Sequence, residues 1–247
     1  LSTASSVWKE GHMDSKWKAI WNRRQANEAA LSGSWQDIFL ELKRMNGFDV
    51  MEGGISLDAW LELDAEIQQR LHLTHGDRAF EVGCGAGANL YLLQRAGIIV
   101  GGTDYAEGLV AIARTVLPQA IELYAGEADA IDTTQKYDAV YANSLLHYLP
   151  NLVYAEHVLL RMLEKTTGAI GLIDVHDRDK EEAFHAYRRS VIPDYDARYK
   201  GLSNLFFPRS FFEDFARAHD LRIVFTPMQL RGYWNAPFVF NCFMYRE

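Results

Sequence analysis

The sequence predicts an α/β fold in which a mostly parallel sheet lies between layers of helices. From residue 76 onward, short apolar runs alternate with amphipathic segments of about ten residues, which is the pattern of βαβ units. Near the end of the chain, the apolar runs 221–225 and 238–245 have no helix between them, so we expect them to be antiparallel neighbours. The 247 residues are 49% hydrophobic, enough for one such domain with a sizeable core.

The first 75 residues show helical rather than alternating periodicity and predict an N-terminal cap over residues 14–75. Its predicted helices share apolar residues spaced three or four positions apart, and they contain Trp17, Ile20 and Trp21, then Trp35 to Met45, then Trp60, Leu63 and Ile67. Residues 1–13 are polar and aperiodic, and we expect them to be a disordered or tag-derived leader.

Residues 76–247 are predicted to form the domain that contains the sheet. The predicted strands are 78–82, 98–103, 121–124, 139–142, 169–175, 221–225 and 238–245, and the predicted helices are 88–95, 106–117, 152–164 and 211–219. An insertion at about 178–209, rich in arginine and tyrosine, is longer than a plain connection, and we expect it to form a lid.

Composition narrows the class of protein. The 33 acidic and 25 basic residues give a net charge of −8, which argues against a nucleic-acid partner. No apolar run is long enough to span a bilayer, so no membrane association is expected. The two cysteines suggest a reducing, cytoplasmic setting. The histidine and cysteine spacings match no metal-ligand motif, so we expect no metal. The sequence does not indicate an oligomeric state.

A glycine-rich loop between the first predicted strand and helix is the strongest local signal. Glycines at such a junction let a ligand approach the backbone closely, and the helix N-terminus adds partial positive charge. Gly83-x-Gly85-x-x-Ala88 also satisfies the relaxed dinucleotide fingerprint, with Asp104 at the expected distance. Glu81 opposes that interpretation, since a carboxylate would repel a pyrophosphate at short range. A tight turn with no ligand is a further alternative.

The segment Glu81-Val82-Gly83-Cys84-Gly85-Ala86-Gly87 resembles the acidic-x-Gly-x-Gly-x-Gly motif of class I methyltransferases, which use S-adenosylmethionine. Four further segments resemble that family in order and spacing: Gly102–Tyr105, Gly126–Ala128, Tyr137–Val140 and Asn143–Pro150. The resemblance covers about residues 75–175. It implies a Rossmann-like three-layer sandwich with a seven-stranded, mostly parallel sheet whose last strand is antiparallel.

The resemblance also implies which residues bind the cofactor, S-adenosylmethionine. They are Glu81, Gly83, Cys84, Gly85, Gly87, Asn89, Asp104, Tyr105, Glu127, Ala128 and Asn143. Asp104 would bind the ribose hydroxyls, with the alternative that it caps the next helix. Glu127 replaces the commoner aspartate near adenine. The cap commonly folds over the cofactor in this family, so Trp17 or Trp21 is expected at the ligand, and Trp35 and Trp60 in the core.

On the acceptor side, His147 and His176 are the candidate catalytic residues, because both follow strands whose ends face the ligand. The alternative for His147 is a side chain packed beneath a loop, and the alternative for His176 is a position in a solvated turn. The candidate substrate residues all lie in the insertion and are Tyr187, Arg188, Arg189, Tyr195 and Tyr199. Arg188 or Arg189 is expected to bind a carboxylate or phosphate, with an exposed helix as the alternative.

These observations predict methyl transfer from S-adenosylmethionine to an oxygen or nitrogen of a small-molecule acceptor. Such a reaction needs chiefly the alignment of two bound molecules, so a conspicuous catalytic triad is not required. Two alternatives stay open at this point. One is an NAD(P)-dependent oxidoreductase, and the other is a non-catalytic module that binds the cofactor without turnover.

Overall fold

The computed structural model describes residues 15–48, 54–202 and 204–246. The expected leader at 1–13 lies outside these ranges. The described helices are α1 Ser15–Asn22, α2 Glu28–Leu31, α3 Trp35–Met45, α4 Leu57–Arg70, α5 Ala88–Arg95, α6 Glu107–Val116, α7 Leu152–Lys165, α8 Glu181–Val191, α9 Tyr195–Arg198 and α10 Arg209–Ala218. None of them is long and apolar enough to cross a membrane.

The sheet has seven strands in the order β3-β2-β1-β4-β5-β7-β6. Their bounds are β1 Arg78–Val82, β2 Ile99–Asp104, β3 Glu122–Ala125, β4 Tyr137–Asn143, β5 Thr166–His176, β6 Leu221–Pro227 and β7 Val239–Arg246. The pairs among β1 to β5 are parallel, and β7 is antiparallel to both β5 and β6. The predicted fold class is therefore confirmed, including the antiparallel last strand.

The helices before β1 begin at capping residues that the sequence displays. Ser34 and Asp37 form a reciprocal capping box at the start of α3, and Ser56 Oγ accepts from Ala59 N at 3.2 Å at the start of α4. The buried side chains Phe39 and Trp60 belong to the apolar core on one face of the sheet. The helices α3 and α4 thus share a core with the sheet. A division of the chain near residue 75 stays a prediction.

The insertion at 178–209 contains two helices, α8 and α9. Its two ends are joined beside β5, because Arg178 N donates to Phe207 O at 3.0 Å and Phe207 N donates to His176 O at 2.8 Å. On α8 only Phe184 is buried. The insertion is therefore a helical unit held next to the carboxyl end of β5, and its role as a lid stays a prediction.

Candidate active site

A cavity of about 560 Å³ lies at the carboxyl ends of β1, β2, β4 and β5. Gly83 follows β1, Asp104 ends β2, Asn143 ends β4 and His176 ends β5, and all four residues line the cavity. Open α/β sheets bind their ligands at this edge. The strand ends that the sequence singled out therefore meet at one site.

The glycine loop between β1 and α5 forms one wall of the cavity. Gly83 and Gly85 have φ values of +77° and +54°, in the left-handed region that favours glycine. Thr103 O accepts hydrogen bonds from Gly83 N at 2.8 Å and from Cys84 N at 3.0 Å, which fastens the loop to β2. The loop thus presents bare backbone to the cavity in a fixed shape.

Asn46, at the C-terminus of α3, clamps this loop from the other side. Its Oδ1 accepts from Ala86 N at 2.7 Å, and its Nδ2 donates to Cys84 O at 3.3 Å. A Cβ placed on Gly85 would overlap Asn46 Oδ1. Asn46 was not among the predicted site residues, so this contact across 40 residues was missed.

A buried polar chain lies behind the loop. Lys43 Nζ donates to Asn89 Oδ1 at 2.6 Å, and Asn89 Nδ2 donates to Glu81 Oε1 at 2.6 Å. The hydroxyl of Tyr141 donates to Glu81 Oε2 at 3.2 Å. Lys43 also lies 3.9 Å from the centre of the Trp60 ring. Glu81 and Asn89 line the cavity, so Lys43 reaches the site through them.

Burial shifts the pKa values of Glu81 and Lys43, the two ionisable ends of this hydrogen-bonded series. It raises the pKa of Glu81 to about 7, and the hydrogen bond from Asn89 and the charge of Lys43 oppose the rise. Burial also lowers the pKa of Lys43 to about 8, against the attraction of Glu81. Each ion therefore keeps the other charged in a region that disfavours both.

Replacing Lys43 with methionine is expected to weaken binding of S-adenosylhomocysteine about tenfold, because Asn89 loses a charge-assisted bond and Glu81 loses its cation. Isothermal titration at pH 7 measures the change. Lys136→Met is the matched control, since this exposed lysine donates to Glu164 O outside the cavity. Equal affinity in Lys43→Met and the unmodified protein would contradict a positioning role for Lys43.

Asp104 links the loop to the second strand. Its Oδ2 accepts from Gly85 N at 2.9 Å, and its Oδ1 accepts from Ala106 N at 2.8 Å. Burial raises its pKa to about 6, and these backbone hydrogen bonds oppose the rise. The N-cap of α6 is Ala106, without a side-chain cap, and Asp104 binds the backbone N–H of that residue instead of occupying the N-cap position.

The other predicted cofactor residues divide into two groups. Those that line the cavity are Glu81, Gly83, Gly85, Asn89, Asp104, Tyr105, Asn143, Trp17 and Trp21. Ala128 lines a small adjoining pocket of about 10 Å³, together with Gly126 and Leu145.

Three predicted cofactor residues do not line the cavity. The side chain of Cys84 is fully buried and faces Gly102 of β2. Gly87 is the N-cap of α5 and packs against Leu117. Glu127 points toward α1, where its Oε1 lies 3.6 Å from Lys18 Nζ.

Helix α1 covers one side of the cavity with two tryptophans. The ring centroids of Trp17 and Trp21 lie 4.9 Å and 5.9 Å from that of Tyr148, both in edge contacts. Arg24 lies 4.8 Å from the Trp21 ring. Trp60 is buried in the core and Trp35 packs against it, as expected.

Two residues with positive φ lie near the carboxyl ends of β4 and β5. Ser144 after β4 and Asp174 in β5 have φ values of +55° and +62°, which are unfavourable for residues other than glycine. The register of β5 with β7 shifts between Leu172 and Val175, and this irregularity contains Asp174. Both residues line the cavity.

The carboxylate of Asp174 accepts hydrogen bonds from three neighbouring side chains. Its Oδ2 accepts from Ser144 Oγ at 2.6 Å and from the Tyr233 hydroxyl at 2.8 Å, and its Oδ1 accepts from Asn235 Nδ2 at 3.5 Å. Burial raises the pKa of Asp174 while these three donors lower it. This network was not predicted from the sequence, although Asp174 precedes the predicted His176 by two residues.

His147 and His176 are stacked at this end of the cavity, with ring centroids 4.3 Å apart and planes 9° apart. Burial lowers the pKa of His147 to about 3 and holds that of His176 well below its ordinary value, aided by the charge of Arg188. Both rings are therefore neutral at pH 7. The alternative of His176 in a solvated turn is wrong, and His147 is both buried and part of the cavity wall.

The insertion places one of its two candidate arginines in the cavity. Arg188 lines it, and its guanidinium lies 4.8 Å from the Tyr199 ring and 4.9 Å from the Trp234 ring. Arg189 faces outward and forms an ion pair with Asp196 at 3.1 Å. Adjacent positions on a helix point in different directions, which separates the two side chains.

Of the three tyrosines predicted to contact the substrate, only Tyr199 lines the cavity. Tyr187 is half-exposed and stacks on Trp234 at 5.8 Å, outside the cavity. Tyr195 is buried in the insertion, and its hydroxyl lies 3.2 Å from His185 Nδ1. Arg189, Tyr187 and Tyr195 therefore do not line the cavity, and a role for them in substrate binding stays a prediction. Several residues that line the cavity were not predicted as site residues, and they include Arg24, Phe48, Ser144, Tyr148, Asp174, Phe184, Asn204, Tyr233, Trp234 and Asn235.

In the described parts of the chain, no three histidine, cysteine, aspartate or glutamate side chains are grouped so that they could hold a metal ion. The side chains present suit a cationic organic ligand instead. Glu81 and Asp104 place two carboxylates beside the glycine loop. A Cβ on Gly83 or Gly85 of this loop would overlap a neighbouring side chain. Opposite charges at short range attract strongly in such a partly buried site.

Comparisons with known proteins agree with this geometry. Residues 79–166 match the family described as a methyltransferase domain. The chain is 31% identical over 131 residues to trans-aconitate 2-methyltransferase of Variovorax paradoxus (strain S110). That match spans 51% of this chain and 48% of that protein, so about half of each.

Two solved structures share the fold over most of their length. Magnesium protoporphyrin IX methyltransferase from Synechocystis PCC 6803, with bound S-adenosylhomocysteine, is 16% identical, with 94% of each chain covered and a TM-score of 0.56. An amino pentose methyltransferase from Micromonospora echinaspora, with bound S-adenosylmethionine, is 15% identical, with 89% of this chain and 94% of that chain covered and a TM-score of 0.56.

The sheet order is that of the Rossmann-like methyltransferase fold, which the two solved structures share. The segment that matches the methyltransferase domain, residues 79–166, runs from β1 to the start of β5 and contains the glycine loop and Asp104.

Proposed function

We propose that this protein transfers a methyl group from S-adenosylmethionine to an oxygen or nitrogen of a small-molecule acceptor. The observation that supports this most is a single cavity with two unlike walls. One wall is the glycine loop with Glu81 and Asp104, and the other holds His147, Asp174 and Arg188. Such a cavity has room for a cofactor and an acceptor side by side.

The cofactor wall suits S-adenosylmethionine, which supplies a methyl group on a positively charged sulfur. Glu81 is two residues before Gly83 and attracts a cation, and Asp104 can accept hydrogen bonds from ribose hydroxyls. Asn143 and Tyr105 complete this wall, and in our proposal Ala128, beside the small adjoining pocket, lies near the adenine.

The acceptor wall orients the second molecule and excludes water. Trp17 and Trp21 of α1 approach from one side, and Arg188 and Tyr199 of the insertion approach from the other. Alignment of this kind can lower the barrier by about 7–11 kcal/mol relative to free encounter. In our proposal His147 and His176 orient the acceptor as neutral rings.

The names of the relatives support a small acceptor, because they specify trans-aconitate and an amino pentose. The net charge of −8 supports an acceptor other than a nucleic acid. The unpaired, buried cysteines Cys84 and Cys242 support a cytoplasmic setting, and we place the reaction in biosynthesis.

S-adenosylhomocysteine is expected to raise the melting temperature, and NAD and NADP are expected to have no effect. A ligand at 100 times its dissociation constant adds about 2.7 kcal/mol to the free energy of unfolding. For a chain of this length the melting temperature then rises by about 5–10 °C. A thermal-shift assay with all three ligands measures this. A shift with NAD or NADP alone would favour the oxidoreductase alternative.

Turnover separates an enzyme from a module that only binds the cofactor. The protein is incubated with S-adenosylmethionine labelled in its methyl group and an extract of small metabolites. Label transferred to the extract supports the enzyme. A thermal shift with S-adenosylhomocysteine but no transfer to any fraction would favour the non-catalytic module.

A further inference from the structure

Arg188 has no acidic partner within the described ranges of the chain. Its neighbours are aromatic rings, with the guanidinium 4.8–5.9 Å from the ring centroids of Phe184, Tyr195, Tyr199 and Trp234. Burial raises the pKa of Tyr195, and the nearby positive charge of Arg188 opposes that rise. The Nε atom is buried and lacks a hydrogen-bond partner among the described residues. An arginine in such surroundings is available to an anionic ligand.

Arg189, one position further along α8, shows the ordinary arrangement. It faces solvent and forms an ion pair with Asp196 at 3.1 Å. The two arginines share a helix and a sequence context, but only Arg188 lines the cavity. The positive charge of Arg188 therefore lies in the cavity, whereas that of Arg189 is paired with a carboxylate on the protein surface.

The balance of charge on the acceptor wall favours an anion. The charged side chains there are Arg24, Arg188 and Asp174. Asp174 is occupied by its three donors, Ser144, Tyr233 and Asn235. Arg24 donates to Arg44 O at 2.6 Å and adds a second positive charge. The two arginines and the positively charged sulfur of the cofactor outnumber the one carboxylate, Asp174, so the net charge of this wall attracts an anion more than a cationic amine.

The acceptor wall also lacks a strong base. The rings of His147 and His176 are neutral, and their burial makes them poor proton acceptors. The oxygens of Asp174 already accept three hydrogen bonds. An alcohol would have to lose a proton to one of these groups. A carboxylic acid has already lost its proton in water at neutral pH.

From these contacts we infer that the acceptor is a carboxylic acid, bound by Arg188 as the carboxylate and methylated on a carboxylate oxygen. The inference rests on the proposed function and narrows its acceptor. A lone pair of that oxygen forms the new O–C bond to the methyl carbon. The C–S bond breaks and its electron pair stays on sulfur. A carboxylate and a sulfonium become an ester and a thioether, and no proton is taken up or released.

Arg188 has enough donors for this role without blocking the reaction. A guanidinium has five N–H donors, and a carboxylate has about four lone-pair positions on its two oxygens. One or two of those positions can bond to Arg188 while another faces the methyl group. The aromatic rings around Arg188 exclude water, which strengthens the ionic hydrogen bond.

Binding is tested first, on the full chain saturated with S-adenosylhomocysteine. Benzoate serves as a simple carboxylate probe, benzamide as its neutral analogue and phenyl phosphate as the other common anion. We expect millimolar benzoate to raise the melting temperature, benzamide to have no effect, and phenyl phosphate to have less effect than benzoate. Equal shifts with benzoate and benzamide would overturn the inference. A larger shift with phenyl phosphate than with benzoate would overturn the inference and indicate that Arg188 binds a phosphate.

Arg188→Gln is expected to weaken benzoate binding about tenfold or more, and Arg188→Lys to retain part of it. Arg189→Gln is the matched control and is expected to bind benzoate like the unmodified protein, because its ion pair lies outside the cavity. The shift with S-adenosylhomocysteine itself reports on folding and the cofactor wall in every variant. Retention of full benzoate affinity by Arg188→Gln would overturn the inference.

Product chemistry gives a second, independent readout. Methyl esters release methanol in alkali, whereas methyl ethers and methylamines do not. In the labelled metabolite extract we expect transferred label to become volatile after alkali treatment, and we expect no net proton release per methyl group transferred. Alkali-stable label, or one proton released per methyl group, would overturn the carboxylate acceptor while leaving methyl transfer established.

Discussion

Asp104→Ala is expected to abolish measurable binding of S-adenosylhomocysteine. In our proposal the carboxylate accepts two hydrogen bonds from the ribose, and it also accepts from Gly85 N at 2.9 Å. A hydrogen bond to a charged group contributes about 1.5–3 kcal/mol, so losing two ribose bonds costs roughly 3–6 kcal/mol, or more than 100-fold in affinity. Isothermal titration and the thermal shift both measure this loss.

Two variants separate binding from folding. Asp138→Ala removes a similar bond in an exposed place, since Asp138 Oδ2 accepts from Arg78 N at 2.8 Å at the start of β1, away from the cavity. It is expected to bind S-adenosylhomocysteine normally. Asp104→Asn keeps one acceptor oxygen and is expected to bind weakly. Normal affinity in Asp104→Ala would show that the ribose assignment is wrong.

The same carboxyl predicts an unusual pH dependence. Burial raises the pKa of Asp104 to about 6 and that of Glu81 to about 7. A carboxyl is ionised above its pKa, and the ligand needs the ionised form. Affinity for S-adenosylhomocysteine is therefore expected to fall as the pH drops through about 7 and then 6, whereas exposed carboxyls titrate near 4. Constant affinity down to pH 5 would contradict this.

The sheet was predictable because each of its strands has a local signal. Strand and helix patterns alternate in the sequence from Arg78 to His176, and the structure keeps that order. The helices α8 and α9 had no comparable signal. They lie on the surface with one buried side chain each, Phe184 and Tyr195, so an apolar stripe is almost absent. Helices of this kind depend on tertiary contacts that the sequence does not display.

The cofactor wall was predictable where backbone and function coincide in one segment. Gly85 has a left-handed φ, which favours glycine, and so do Gly83 and Gly87 of the same motif. The sequence displays this requirement as a glycine-rich segment. Lys43 and Asn46 were missed because they reach the loop from α3, about 40 residues earlier in the chain. Arg188 and Arg189 were indistinguishable in sequence. The packing of Phe184 beneath α8 decides which of them faces the cavity.

Gly85→Ala is expected to remove most of the affinity for S-adenosylhomocysteine, by at least about tenfold, and to lower the free energy of unfolding by about 2–4 kcal/mol. Gly85 has a φ of +54°, and a Cβ there would overlap Asn46 Oδ1. Gly76→Ala is the control for backbone strain alone. Gly76 has a φ of +94°, and a Cβ there would have no atom within 4 Å. We expect Gly76→Ala to lose stability but to keep its affinity.

Asn46→Ala tests whether the overlap or the strain dominates. Alone, it removes the bonds to Ala86 N and Cys84 O, so it is expected to weaken binding as well. In the double variant the space that the new Cβ needs is vacant, so Gly85→Ala should cost less than it does with Asn46 present. Contacting residues couple in this way, whereas independent ones add. Strictly additive losses in affinity would show that the loop tolerates the Cβ, and that only the positive φ of Gly85 requires glycine.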